Sequence, residues 1–419
     1  MSKPWQDNFA HAARVADELG MEIILGTGPG WAGSGGPWVK PEQSMQHLTA
    51  STVEVSGPGP VNVQLPVPSP RPKTKFSGLS PDWPGSGRVG MKTPQSSPFP
   101  HPAKTDAPEL LSIKALHDVQ PYSIMKEVPR FVPSPAEYVE PDEKAVIPLE
   151  SILDLTEQMQ PDGSLDWNAP PGNWTVMRLA ARSTGQTTRP APVPGHGFEV
   201  DKFSAEAFQF HFDQFHRKLL ENVGARRPGR GWTALHLDSW EMSSQNWSED
   251  FREAFQKQHG YDPQPFYPAL QGLIVGSREQ TERFLWDLRR TAQELVLAEY
   301  VGTIKRLAHD NGLYYTSQGY DMNPAGDLDL LALADIPSCE FWFNKVDSLY
   351  SCVEAVSAAH TAGKAVVRAE AFTSVGGVFG VSPADMKDQT NWAFAMGIND
   401  IIFHTFQHQP LGKDEPKPG

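Results

Sequence analysis

Cysteine is nearly absent from the 419-residue sequence, which contains only Cys339 and Cys352. Two cysteines outside any CxxC pair are too few for a disulfide-stapled secreted scaffold and argue against a thiolate metal site. No run of about 18 apolar residues occurs, so we expect no membrane span. Residues 1–20 lack the apolar core of a signal peptide and are typical of a helix.

Positive charge is also scarce, because 36 Lys and Arg residues stand against 50 Asp and Glu, a formal net charge of −14. Binding to phosphates requires clustered Lys and Arg, so the sequence argues against nucleic acid as a partner. No GxGxxG or P-loop motif occurs, and we expect no nucleotide cofactor. The acidic balance suits a neutral sugar but is mainly a statement about solubility. Nothing in the sequence predicts the oligomeric state.

Proline divides the chain, since about half of its 39 prolines lie in residues 51–150. Proline removes ladder donors and interrupts helices, so we predict loops and short edge strands there. We predict that residues 51–182 form a proline-rich, β-rich insertion, with a small β-sandwich and one barrel strand. Residues 1–50 would be the N-terminal part of the barrel, residues 183–412 its main part, and residues 413–419 a tail.

From residue 200 onward, short apolar strands alternate with helices. Together with one early strand, the predicted strands cover residues 21–27, 233–240, 313–320, 336–342, 365–372 and 400–406. Such alternation is typical of parallel βα units, and hence of a barrel or a doubly wound sheet. We favour the barrel because no motif marks a nucleotide crevice. The predicted fold is therefore α/β, with a (β/α)8 TIM-type barrel.

Ionisable residues occur at the ends of five consecutive predicted strands. They are Asp238 and Glu241, Asp321, Glu340, Glu370, and His404 with His408 just beyond. In a (β/α) barrel these ends meet on one face, where active sites are built. Glycosidases need two carboxyl groups flanking the scissile bond. The pattern predicts a carbohydrate-cleaving enzyme that uses above all Glu241 and Glu370.

Aromatic residues lie beside these carboxylates and could stack against a sugar ring. They are Trp240, Trp247, Phe341, Trp342 and Phe372. Twelve tryptophans in total suit carbohydrate recognition, but they suit a large hydrophobic core equally well.

Each candidate also has a purely structural interpretation. Glu241 could cap the helix that follows it, Arg368 could pair with Glu370, and Glu340 could occupy the rim of the site or take either catalytic role. His404 and His408 have a helical metal-ligand spacing, but His404 lies in a β-like run, which favours hydrogen bonding over zinc binding. No G-x-S-x-G elbow supports a serine triad.

Several long segments resemble one known family, the α-L-rhamnosidases of glycoside hydrolase family 106. The segments are GPGWAGSGGPW, GHGFEVDKFS, LHLDSWEMSSQNWSEDFREAFQKQHGYDP, GYDMNPAGDLDLLALADIPSCEFW, AEAFTS and FHTFQHQP. The resemblance covers residues 20–50 and 195–412 well and the proline-rich middle poorly.

This resemblance implies an incomplete-looking (β/α)8 barrel with β-sandwich modules, and inverting hydrolysis of terminal α-L-rhamnosides. Glu241 would be the general acid, Glu370 the general base and Glu340 a third active-site carboxylate. If the strand before Glu241 is the fourth, residues 21–27 form the second. WTVMRLAAR, residues 174–182, is then the candidate third, and the first is missing.

The resemblance also implies a rhamnose-containing carbohydrate as substrate and calcium in the sugar site, with Glu340 and Asp321 as candidate ligands. Oxygen-rich side chains, including Asp238, suit such a hard cation. Candidate substrate contacts are Asp238, Trp240, Asp321, Trp342, His404 and His408.

Family members are longer than this chain, so we expect it to be a fragment. A barrel without its first strand exposes edges at the second and eighth strands. Two alternatives therefore stay open: a non-catalytic, carbohydrate-binding remnant, or a glycosidase with another sugar specificity. The family implies a periplasmic or secreted protein if a signal peptide precedes this sequence, and a cytoplasmic one otherwise.

Overall fold

The computed structural model describes residues 1–31, 33–70, 145–188, 191–240, 242, 244–319, 325–344, 349–374 and 381–405. Three predicted site residues, Glu241, Asp321 and His408, lie outside these ranges.

The described residues contain helices on both sides of the long middle segment. The helices are α1 (Lys3–Leu19), α2 (Ala205–Gln214), α3 (His216–Val223), α4 (Phe251–His259), α5 (Arg278–Leu295), α6 (Gly302–Asp310), α7 (Asp327–Leu333), α8 (Leu349–Thr361) and α9 (Pro383–Met396). A π-helical turn, Val296–Val301, joins α5 to α6.

Strands occur throughout the same ranges. They are β1 (Glu22–Gly26), β2 (Gly35–Gly36), β3 (Gln46–Gln64), β4 (Val146–Ile147), β5 (Ser164–Ser183), β6 (Phe198–Glu199), β7 (Gly231–Leu237), β8 (Ile274–Val275), β9 (Tyr314–Gln318), β10 (Ile336–Trp342), β11 (Arg368–Thr373) and β12 (Asp400–Phe403).

Three helices begin at serines that the sequence marks as caps. The Oγ of Ser204 accepts from the amide of Ala207 at 3.2 Å, and the Oγ of Ser277 accepts from the amide of Gln280 at 3.1 Å. Ser382 caps α9, with Pro383 at its first position. Such caps satisfy amides that have no partner within the helix. Within the described ranges, none of the helices has the length and apolar character needed to span a membrane.

Six strands form one parallel sheet in the order β1-β7-β9-β10-β11-β12. The predicted parallel α/β arrangement is thus confirmed as a curled half barrel. Among the described residues, β1 and β12 are its two edges. Because β1 pairs directly with β7, the expected numbering of these two paired strands as second and fourth is wrong.

The prediction that WTVMRLAAR forms the third barrel strand is wrong. These residues belong to β5, which pairs antiparallel with β3 over Gln46 to Gln64, while β1 pairs directly with β7. Burial along β3 alternates with a period of two residues, as in a ribbon with one face toward water. A parallel barrel strand would be buried on both faces.

The prediction of only loops and short edge strands after residue 51 is also wrong as far as residue 64. Pro58 and Pro60 lie inside the 19-residue strand β3. The ribbon has only two strands in the described ranges, so each strand has an open edge, where a missing amide is tolerated. Residues 71–144 of the predicted insertion lie outside the described residues, and the domain boundaries stay predictions.

Two apolar cores cover the outer side of the sheet. The larger one includes Trp232, Tyr315 and Phe208, and joins β7 and β9 to α2 and the π-helical turn. The smaller one joins β10 and β11 to α8 and contains Cys339 and Phe341. Both cysteines are reduced and buried. Because the two cores cover the outer face of the sheet, polar side chains that could bind a ligand lie on the inner face and at the strand ends.

Candidate active site

The inner face of the sheet is polar where its outer face is apolar. Ser338, Arg368 and Glu370 line the interior cavity, whereas their strand neighbours Cys339 and Ala369 lie in the smaller core. This alternation follows from the two-residue period of a strand. It turns the acidic residues of β10 and β11 inward.

Glu340 and Glu370 are direct neighbours on this face, because they are register partners in adjacent parallel strands. Neighbouring strands lie about 4.8 Å apart, so the two side chains leave the sheet side by side. The structure brings together two of the three predicted catalytic residues. Because Glu241 lies outside the described residues, its distance from Glu370 stays untested.

Gln318, at the end of β9, holds Glu370 in place. Its Nε2 donates to Oε2 of Glu370 at 3.1 Å, and its Oε1 accepts from the amide of Ser239 at 3.1 Å. The side-chain amide of Gln318, a residue that is only 1% exposed, thus connects Glu370 to the end of β7. We did not predict this residue from the sequence, although a polar residue at a strand end was the available signal.

His404 lies on the opposite side of Glu370, with its Nε2 at 3.6 Å from Oε1 of that carboxylate. Burial lowers the pKa of His404 below its usual value, and the Asp238 carboxylate opposes the change. The imidazole is therefore mainly neutral near pH 7 and can take part in hydrogen bonds without carrying charge. His404 and Asp238 both line the cavity, as predicted for strand-end residues.

His236 is a second histidine of the cavity and was not predicted. Burial, followed by the charge of Arg368, lowers the pKa of His236 to about 4. Its Nε2 lies 3.9 Å from Oδ2 of Asp238. The predicted pairing of Arg368 with Glu370 has a competitor, because Nε and Nη2 of Arg368 reach Oδ2 of Asp400 at 2.7 and 2.6 Å.

Glu340 is buried and accepts a hydrogen bond from Nε1 of Trp342 on the same strand face. The carbonyl of Trp342 in turn accepts from Nε2 of Gln389 at 2.7 Å. Trp342 is thereby fixed beside Glu340, and its role as a substrate contact stays a prediction.

The cavity has a volume of about 520 Å³ and lies between the two edges of the half barrel. From the first loop it is lined by Gly28, Pro29, Gly30 and Trp31. Trp31 is 50% exposed, which makes it an aromatic surface open to a sugar ring. It lies within the glycine-rich segment of the sequence but was not predicted as a site residue.

The other predicted aromatic residues do not form such an open surface. Trp240 is 5% exposed and meets Tyr300 edge-on, with 6.3 Å between ring centroids. Trp247 packs on Tyr267. Phe341 and Phe372 contact each other within the smaller core. The expectation that sugar stacks on Trp240, Phe341 and Phe372 conflicts with this packing, because these three rings are buried. For Trp247, which is only partly buried, it stays a prediction.

The predicted calcium site is incomplete in the described part of the chain. No group of three or more His, Cys, Asp or Glu side chains there is arranged to hold a metal ion. Glu340 already accepts from Trp342, and Asp321 lies outside the described residues. The described residues do not make a calcium cage by themselves.

A family model described as alpha-L-rhamnosidase, glycoside hydrolase family 106, matches residues 1–96 and 109–419. The chain belongs to this family. The resemblance seen in the sequence motifs is thereby confirmed.

Two relatives show how much of a family member this chain represents. A protein of Formosa agariphila named "Putative beta-glucuronidase" is 33% identical over 410 residues, covering 98% of this chain and 33% of its own length. The structure of a rhamnosidase from Novosphingobium sp. PP1Y matches with a TM-score of 0.74 and 25% identity, over 98% of this chain and 50% of that one. The family 106 chain therefore spans a third to a half of these relatives.

Proposed function

We propose that this chain supplies the catalytic region of an inverting glycosidase that removes terminal α-L-rhamnosyl residues. The observation that carries the proposal is the position of Glu370, which faces an open cavity between Gln318 and His404. Family membership supports the reaction class, and the rhamnosidase neighbour supports the sugar.

Glu370 acts as the general base in this proposal. The Nε2–H of Gln318 orients the carboxylate, and the oxygen on the His404 side takes the proton of an attacking water. Glu241 acts as the general acid and protonates the leaving oxygen from the other side of the sugar. Inversion requires about 6.5–9.5 Å between the two carboxyl groups, to leave room for that water.

Glu340 and Trp31 have supporting roles. Glu340, anchored by Trp342, places a second acidic group beside Glu370 and in position to bind sugar hydroxyls. Trp31 offers an apolar face on the opposite wall of the cavity. A deoxy sugar such as rhamnose presents a methyl group and a face of C–H bonds to such a ring.

Measuring turnover of aryl glycosides tests this function. We expect the protein to hydrolyse an aryl α-L-rhamnoside with release of β-L-rhamnose as the first anomer, which can be followed by NMR. Release of the α anomer would contradict inversion. Binding of rhamnose without any turnover would favour a carbohydrate-binding protein instead.

A second candidate is hydrolysis of another sugar, in particular a β-glucuronide, as the name of the Formosa relative suggests. The same panel should therefore include an aryl β-glucuronide and an aryl galactoside. If kcat/KM for either of these glycosides exceeds the value for the rhamnoside, that sugar and not rhamnose is the preferred substrate.

We also propose that calcium binds in the sugar site and that the half barrel is completed to eight strands. Carboxylate oxygens at the strand ends suit a hard cation, and the open edges of β1 and β12 are where further strands could add. Full activity after exhaustive EDTA treatment would contradict the first proposal. A crystal structure of the protein in which β1 and β12 remain edge strands would contradict the second.

A further inference from the structure

Two segments of the chain that carry proposed site residues are held together by a buried cluster beside β1 and β7. One is the glycine-rich turn, residues 27–36, which follows β1. The other is the acid segment, residues 239–248, which follows β7 and carries Glu241. Residues 198–203 lie between them and contact both.

The first contact holds the glycine-rich turn through a buried ion pair. Oε2 of Glu199 accepts from Nζ of Lys202 at 2.8 Å and from the amide of Ser34 at 2.8 Å. Nζ of Lys202 also donates to the carbonyl of Ser34 at 3.1 Å, and lies 4.7 Å from the ring centroid of Tyr300. Both charged side chains have zero exposure.

The second contact holds the acid segment. The amide of Lys202 donates to Oε1 of Gln245 at 2.9 Å, and Oδ2 of Asp201 accepts from Oγ of Ser248 at 2.6 Å. The side chain of Gln245 returns a hydrogen bond to Asp201. The carboxylate of Asp201 and the backbone amide of Lys202 thus bind the acid segment, and the side chain of Lys202 binds the glycine-rich turn.

The chain neighbours of Glu241 rest on the same cluster. A Cβ placed on Gly33 would lie 2.2 Å from Cε of Met242 and 2.7 Å from Oε2 of Glu199, so the three groups are in close contact with no room for a side chain. Trp240 meets the ring of Tyr300, and the hydroxyl of Tyr300 lies 2.8 Å from Oγ of Ser34.

We propose that Glu199 and Lys202 act as a positioning pair that fixes the acid segment against the glycine-rich turn, a role that rests on the proposed function of Glu241 as general acid. Burying two charges is costly, and replacing such a pair with apolar residues is often neutral or stabilising. The pair therefore does more here than stabilise the fold. It fixes described residues on both sides of Glu241 in the sequence, Trp240 through Tyr300 and Gln245 through the amide of Lys202.

Dependence on the leaving group separates positioning from simple stabilisation. A misplaced general acid slows the departure of a basic leaving group but hardly affects an activated one, since the latter leaves without protonation. We expect Lys202→Met to lower kcat for methyl α-L-rhamnoside by about 10- to 100-fold. For the dinitrophenyl rhamnoside we expect less than about 3-fold change, with KM nearly constant for both.

Ser34→Ala serves as a milder variant if Lys202→Met does not fold. It removes one hydroxyl that contacts both Tyr300 and Lys202 and should change the ratio of the two rates in the same direction. Thr281→Val is the matched control, since its buried hydroxyl bonds only to the backbone of Val275 in the described structure. We expect it to lower the melting temperature without changing the ratio.

Glu241→Gln distinguishes the failure of this inference from failure of the proposed function. If Glu241→Gln shows the leaving-group effect while Lys202→Met and Ser34→Ala lower both rates equally, the positioning role is wrong and the function stands. If Glu241→Gln itself shows no such effect, the assignment of the general acid is wrong, and the positioning role with it.

Discussion

The ion pair between Glu199 and Lys202, beside the segments that follow β1 and β7, is completely enclosed, whereas Glu370 and His404 near β11 and β12 face an open cavity. Glu199 and Lys202 have zero exposure, while the side chains of Glu370 and His404 are 23% and 41% exposed. The enclosed charges of Glu199 and Lys202 bind the glycine-rich turn. In the open region a carboxylate and a neutral imidazole remain accessible to a ligand.

This difference shows that the family motifs contain ionisable residues of two kinds, exposed ones and buried ones. AEAFTS contributes a residue that can meet substrate, and GHGFEVDKFS contributes residues that cannot. A charge in a motif is therefore not enough to assign a catalytic role. Changes in the open region should lower turnover at nearly constant stability. Changes at the enclosed pair should lower the free energy of unfolding and slow mainly the substrates whose leaving group needs protonation.

The largest expected effect is on turnover in the open region. Glu370→Gln removes the proposed base while keeping the acceptor for Gln318, so we expect kcat to fall by about 10³-fold. The melting temperature should stay nearly constant. Steady-state kinetics and calorimetry on the same preparation measure kcat and the melting temperature. A lower melting temperature with unaltered kcat would show that Glu370 stabilises the fold and does not act in turnover.

The second effect is on stability in the enclosed region. Lys202→Met leaves the Glu199 carboxylate buried without its partner, and we expect the free energy of unfolding to fall by about 3 kcal/mol. Adding Glu199→Leu should recover part of that loss, because no buried charge then remains. Denaturant titration of both variants measures the coupling, and strictly additive losses would show that the two residues do not act as a pair.

The third effect is a pH dependence of stability that arises in the enclosed region. Burial lowers the pKa of His216 from 6.5 to about 4, and its Nε2 lies 3.1 Å from the carbonyl of Gly26. Unfolding lets this histidine take up a proton at a higher pH, so its contribution is present above pH 6.5 and is lost as the pH falls toward 4.

Between pH 7.5 and 5 this histidine alone should remove about 2 kcal/mol from the free energy of unfolding. In His216→Leu the loss over the same interval should be smaller by that amount. Denaturant titrations at the two pH values provide the measurement. An equal pH dependence in both proteins would show that His216 is already able to ionise in the folded state.

The smallest expected effect is on substrate binding at the cavity wall. Trp31→Ala removes an exposed ring, so we expect KM to rise about 5- to 10-fold with little change in kcat, corresponding to about 1 kcal/mol of stacking. Trp286→Ala is the control, because Trp286 is exposed on α5, away from the cavity. Similar kinetics for the two variants would mean that Trp31 does not contact the sugar.

Sequence reasoning predicted the six parallel strands and the location of Glu340 and Glu370 on two neighbouring ones, because strand period and βα alternation are local patterns. It failed for WTVMRLAAR, whose apolar alternation is equally suited to a barrel strand and to the ribbon with β3. Only long-range pairing decides between them, and that pairing joins residues more than a hundred positions apart.

The sequence by itself determined the family, the parallel α/β class and the carboxylates at the strand ends, since motifs, period and residue chemistry are written in neighbouring positions. The tertiary structure alone decided which side chains are free to act. It buried Trp240 and Phe341, exposed Trp31, placed Gln318 against Glu370 and enclosed Lys202. Burial and distance depend on the packing of distant segments, and no local pattern contains them.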